Sequence, residues 1–135
     1  MGSTIFIALA KTNDDHHAVA RDFIETLAPP YQLMTSDYIL DETVTRIRDS
    51  LGAEKAFYFC RKIMESRLYR IFFIDKKIFQ AGLEWLKKYS DKDLSFTDCT
   101  SFVLMEKHRL TTAFTFDDDF KKVGFEMVPN FASRM

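Results

Sequence analysis

Among the 20 acidic residues of this 135-residue chain, three stand where a carboxylate can do more than face water. Asp117 directly follows an apolar run of strand length, and Asp98 closes the segment Ser95-Phe96-Thr97-Asp98, which has the S-x-x-D form that opens a helix. Glu42 falls in the first turns of a helix that follows another short apolar run. In proteins that alternate strands and helices, ligands bind at the edge formed by the carboxyl ends of the strands. Acids gathered there repel one another unless a cation neutralises them, and a set of oxygen donors alone suits Mg2+ or Mn2+. Such an ion, with positions open to water, is suited to phosphodiester hydrolysis: it lowers the pKa of a water and offsets charge growing on phosphorus.

Other chemistries find less support. His16, His17 and His108 show no HExxH or other metal spacing, and Gly2, Gly52, Gly82 and Gly124 are too scattered to form a phosphate-binding loop. Asp117-Asp118-Asp119 also reads as the D-x-D of a phosphatase, which leaves turnover of a small phosphomonoester by Asp117 and Asp119 open. Cys60 and Cys99 belong to no CxxC pattern and read as buried, reduced thiols of a cytoplasmic protein. The 14 Phe fall on apolar faces and strand runs, so they are expected in the core rather than as base-stacking platforms.

A net charge of −1 conceals an uneven distribution. Residues 54–90 carry nine basic and four acidic side chains, and the rest of the chain ten and sixteen. A basic middle between acidic flanks steers a polyanion toward a cation-holding site, although the same run also suits the solvated faces of ordinary helices. No apolar run approaches the roughly 18 residues of a membrane span, and no signal-peptide core follows a basic start, so no membrane partner is expected.

Periodicity supplies the elements that must position the acids. Asn13 and Asp14 precede a helix that Pro29-Pro30 stops. Residues 31–35 read as a strand, 40–51 as an amphipathic helix ended by Gly52, and 53–66 as an aromatic-rich helix. A strand over 69–74, a helix over 76–89 and a helix from Ser95 through Met105 follow, then strands over 112–116 and 125–128. Apolar strand runs alternating with helices predict one α/β domain with a mainly parallel sheet covered on both faces, over residues 1–129, with 130–135 as a short tail.

Four segments, in this order and at these separations, resemble a PIN-domain protein of the VapC toxin type. They are Ser3-Thr4-Ile5-Phe6-Ile7-Ala8-Leu9, Leu40-Asp41-Glu42-Thr43, Leu94-Ser95-Phe96-Thr97-Asp98-Cys99 and Thr115-Phe116-Asp117-Asp118-Asp119-Phe120. The resemblance spans nearly the whole chain. It implies a three-layer α/β/α fold and a Mg2+- or Mn2+-dependent endoribonuclease site made of four acids, with RNA as substrate and a cognate antitoxin as partner. Carried over by position, Glu42, Asp98 and Asp117 are the catalytic and metal-binding acids and Asp119 is auxiliary. Thr97 and Thr115 would supply hydroxyls that orient a carboxylate or a water; from charge alone, Arg46, Arg48 and the basic residues of 54–90 are expected to hold the RNA backbone.

One departure stands at the start. Family members open with a strand ending in an acid central to the metal site, and the position matching that acid is Gly2, so the first strand is expected to be truncated or absent. This leaves a second reading open: a catalytically impaired PIN-like module that binds RNA, an antitoxin or itself. Phe57, Tyr58, Phe59, Tyr69, Phe72 and Phe73 exceed what one face can bury, which points to a homodimer.

Overall fold

The computed structural model describes residues 4–7, 32–115 and 118–128. Strands β1 (Thr4–Ile7) and β2 (Gln32–Ser36) precede helices α1 (Asp37–Leu51) and α2 (Ala53–Glu65). Strand β3 (Tyr69–Phe72) then leads into α3 (Lys76–Lys88) and α4 (Phe96–Lys107). The chain closes with β4 (Thr112–Phe114), the short α5 (Asp119–Lys122) and β5 (Glu126–Val128). The helix expected after Asn13 and Asp14 and the tail 130–135 lie outside the described residues.

All five strands are parallel, in the order β3-β2-β1-β4-β5. The first strand is therefore not missing. β1 occupies the middle of the sheet, with Phe6 level with both Met34 of β2 and Ala113 of β4, and its four residues lie between the five of β2 and the three of β4. β2 shows why helices must cover both faces: Leu33, Met34, Thr35 and Ser36 are all buried, and successive residues of a strand point to opposite sides.

One layer is built on aromatic packing. Phe6 of β1 lies 6.4 Å from Phe120 of α5, whose ring stands edge-on to Phe102 of α4 at 4.9 Å. Phe79 and Trp85 of α3 meet Phe96 and Phe102 of α4 at 4.8 and 5.3 Å, so these two helices run side by side in the same direction. Gly82 makes that approach possible, since a Cβ there would meet the Phe96 ring and the Thr100 methyl at 3.2 Å. Helices α1 and α2 pack on each other and on β2 and β3.

Element ends follow local chemistry. α1 begins three residues before the first periodic leucine because Ser36 caps it, its hydroxyl accepting from the Ile39 N–H at 3.2 Å. Gly52, at φ +99°, lets α1 end and α2 begin without a linker. β3 stops at Phe72 rather than residue 74, because the Ile74 N–H turns to the Asp37 carboxylate at 3.0 Å instead of a ladder partner. β4 stops at Phe114, and Phe116 and Asp117 lie outside the described residues.

Candidate active site

Four helices start at the carboxyl edge of the sheet, and short contacts tie their first turns together. Asp37, the first residue of α1, binds the chain leaving β3 through Ile74. Tyr38, next to it, packs 6.4 Å from Phe96, the first residue of α4, and Phe96 packs against Phe79 near the start of α3. α5 follows β4 and joins α4 through Phe102 and Phe120. Helix starts present unpaired N–H groups and a partial positive charge, so this edge favours anions.

Asp98 is the best-defined acid here. It is only 6% exposed and sits in the first turn of α4, where a complete capping box holds it. Its N–H donates to Ser95 Oγ at 3.0 Å, and its carboxylate accepts from the Ser95 N–H at 3.4 Å. The box satisfies two end groups of the helix while fixing a negative charge in a nearly dry place. That charge, added to burial, pushes the neighbouring Cys99 thiol up from its ordinary pKa, so Cys99 is no nucleophile at neutral pH.

On the β4 side, Thr115 is fully buried and its N–H donates to the Val128 carbonyl at 3.1 Å. Asp119 is 9% exposed in the first turn of α5, with Lys122 Nζ 3.5 Å away. Asp117 falls between these two residues in sequence and outside the described residues. Glu42 is half-buried in the second turn of α1. Thr97 contributes through its backbone, its carbonyl accepting from Thr100 Oγ1 at 2.8 Å and Ser101 Oγ at 3.0 Å, which stiffens the turn that carries Asp98. Arg46 and Arg48 are exposed, and Arg48 pairs with Asp49 at 3.4 Å.

Among the described residues, no three of His, Cys, Asp and Glu come together as a cation cage. The acids sequence reasoning singled out at this edge are all oxygen donors, which is the chemistry a hard divalent cation takes.

The strand register moves one assignment. β1 ends at Ile7, level with Phe114 of β4, so the residue that follows its carboxyl end is Ala8. Gly2 precedes the strand in sequence and lies outside the described residues. The sequence resemblance sets Gly2 against the family's first acid, whereas the end of β1 sets Ala8 there, since short apolar strands carry little register information.

Sequence reasoning overlooked Asp37, whose carboxylate accepts from both Tyr38 N and Ile74 N at 3.0 Å and fastens α1 to the exit of β3. An acid directly after a serine at a strand end was the available signal.

The sequence matches the PIN domain over residues 3–126, and the chain belongs to that family. It is similar to the 23S rRNA-specific endonuclease VapC20 of Mycobacterium tuberculosis, in two strains, at 29% identity over 123 residues, 91% of this chain and 92% of the relative. The crystal structure of M. tuberculosis VapC20, described as a sarcin-ricin loop cleaving toxin, matches with a TM-score of 0.78 and 30% identity, covering 90% of this chain and 95% of that one. VapBC2 of Rickettsia felis bound to promoter DNA matches with a TM-score of 0.65 over 92% and 96% of the two chains. At 13% identity that likeness shows the fold alone.

Proposed function

We propose that this chain is a metal-dependent endoribonuclease of the toxin type. The observation that carries the reading is Asp98, buried and held by its own capping box at the edge where four helix starts converge, in a fold shared with a relative described as an endonuclease. Asp98, Asp117 and Glu42 would hold Mg2+ or Mn2+, with Asp119 auxiliary. When bound, the ion supplies acidification of a water and charge to offset that on the phosphorane-like transition state. Asp98 brings a fixed charge that needs no reorganisation, and Thr115 stands buried directly after β4. The Asp119–Lys122 pair keeps one cation close to that side of the edge. Arg46, Arg48 and the basic side chains of residues 54–90 hold phosphates, which positions an RNA without reading its bases.

RNA is the substrate in this reading, and the sarcin-ricin loop cleaved by the relative is the first target to try. Its partners are a cognate antitoxin and a second copy of the chain. Exposed Phe57, Tyr58 and Phe73 support the association of protein surfaces, and among the described residues no helix is long and apolar enough to cross a membrane. The cytoplasm is where such a toxin meets ribosomal RNA.

A second reading rests on Ala8. With no carboxylate directly after β1, the chain is a PIN-fold binder with a weakened cation site. Incubating the protein with a sarcin-ricin stem-loop in Mn2+ and in EDTA separates the two. Metal-dependent cleavage at a defined bond supports the nuclease, and intact RNA with both the native chain and Ala8→Asp supports the binder.

A further inference from the structure

Phe79 does not sit where a core residue should. It is 41% exposed, yet its ring packs edge-on against Phe96 at 4.8 Å, and Phe96 continues to Tyr38 at 6.4 Å. The three rings form a ledge from α3 across the start of α4 to the start of α1. Gly82 lets the Phe96 ring lie close to the α3 backbone, where a Cβ would meet it at 3.2 Å. The Asp98 carboxylate turns back to the N–H of Ser95, the residue directly before Phe96, at 3.4 Å.

The surroundings of the ledge have the chemistry of a nucleic acid site. Lys76 and Lys77, both exposed, lie on the turn before Phe79, and among the described residues neither is in an ion pair. The nearby carboxylates of Asp37 and Asp75 are engaged with backbone N–H groups. Phe73, 66% exposed, adds another ring at the exit of β3. Farther along α3 the exposed apolar residues are aliphatic, Leu83 and Leu86, so exposed aromatic character on this helix is confined to its first turn, which packs on Phe96. Flat rings flanked by lysines hold single-stranded nucleic acid, because every base has a face to stack and a phosphate to neutralise.

We infer that the Phe79–Phe96–Tyr38 ledge stacks an unpaired base of the RNA substrate beside the phosphate brought to Asp98, with Lys76 and Lys77 holding the adjoining backbone. The inference rests on the nuclease reading and makes it specific: the substrate is a loop whose base can be splayed out, not a continuous duplex. Phe79 then selects substrate shape while taking no part in the chemistry.

The experiment uses the full chain in EDTA, where binding is read without cleavage. The probe is an RNA stem-loop with 2-aminopurine at one unpaired loop position, with a fully paired duplex of equal length as comparison. Stacking on an aromatic ring quenches the probe. The wild type should bind the stem-loop tighter than the duplex and quench it. Phe79→Ala should bind the stem-loop about tenfold more weakly and lose the quench. Lys76→Glu with Lys77→Glu should weaken both RNAs, and Met64→Ala on α2, 62% exposed, should change neither. Unchanged affinity and quench in Phe79→Ala would overturn the ledge. So would a Phe79→Ala chain that binds RNA normally but changes from dimer to monomer by light scattering, which would give this face to a second copy. In Mn2+, a wild type that cleaves the stem-loop while Phe79→Ala binds it equally rejects the ledge alone. A wild type that neither binds nor cleaves rejects the nuclease reading with it.

Discussion

Ser95 and Asp98 hold each other in a reciprocal pair: the serine hydroxyl accepts from the Asp98 N–H at 3.0 Å, and the Asp98 carboxylate accepts from the Ser95 N–H at 3.4 Å. The same carboxylate that caps α4 is thus the candidate catalytic acid, and stability and chemistry are separable at this residue. Asp98→Asn keeps an oxygen for the cap and removes the charge, whereas Asp98→Ala loses both. In thermal melts the asparagine variant should stay near the parent. The alanine variant should lose about 1 kcal/mol, a few degrees in Tm for a chain of this size. Equal losses in both would mean that the negative charge, not the cap geometry, stabilises the helix start.

Ala8 should be where a missing carboxylate matters. Ala8→Asp should tighten Mn2+ binding at least about tenfold by titration calorimetry, since even groups that only support metal ligands are worth that much. Gly2→Asp, before β1, should leave it unchanged. The reverse ranking would contradict the register of β1 with β4.

Gly82 should resist enlargement. Alanine is favoured over glycine in a helix by up to about 1 kcal/mol. Here its Cβ meets Phe96 and Thr100 at 3.2 Å, and Phe96 is backed by Phe79. Gly82→Ala should therefore destabilise in urea unfolding, and adding Phe96→Leu should recover part of the loss. If Gly82→Ala is the more stable protein, the α3–α4 approach is looser than described.

His108 should make stability depend on pH. Its ring packs on Phe72 at 4.5 Å, and its buried Nε2 has no hydrogen-bond partner among the described residues. Burial, then the charges of Lys107 and Arg70, lower its pKa in the fold. The unfolded chain, with an ordinary value near ~6.5, therefore takes up the proton first. The stabilising contribution is complete above that value and declines as pH falls from it toward the lower folded value. Urea midpoints at pH 7.5, 6 and 5 should fall more steeply for the native chain than for His108→Asn.

Much of this was legible in the residues. The capping box at Ser95 and the break at Gly52 are local chemistry, and each was readable without knowing the fold. The parallel sheet followed from strand runs such as Leu33-Met34 that are apolar on both faces. What escaped was relational. The place of β1 depends on hydrogen bonds to strands far along the chain, so four apolar residues alone did not show a strand in the middle of the sheet. The phenylalanines were expected inside, and Phe102, Phe114 and Phe120 are. Phe57, Phe73 and Phe79 are exposed, because helical spacing alone does not show which stripe of α2 or α3 finds a partner. Asp37 was missed because its second partner, Ile74, is 37 residues away.

The central claim is that Asp98 serves RNA hydrolysis. Its most direct test is the single-turnover cleavage rate of a sarcin-ricin stem-loop in Mn2+, measured for Ala8→Asp with and without Asp98→Asn. The account predicts at least a roughly hundredfold loss on removing the charge, with binding in EDTA unchanged. Equal rates in the two chains would contradict it.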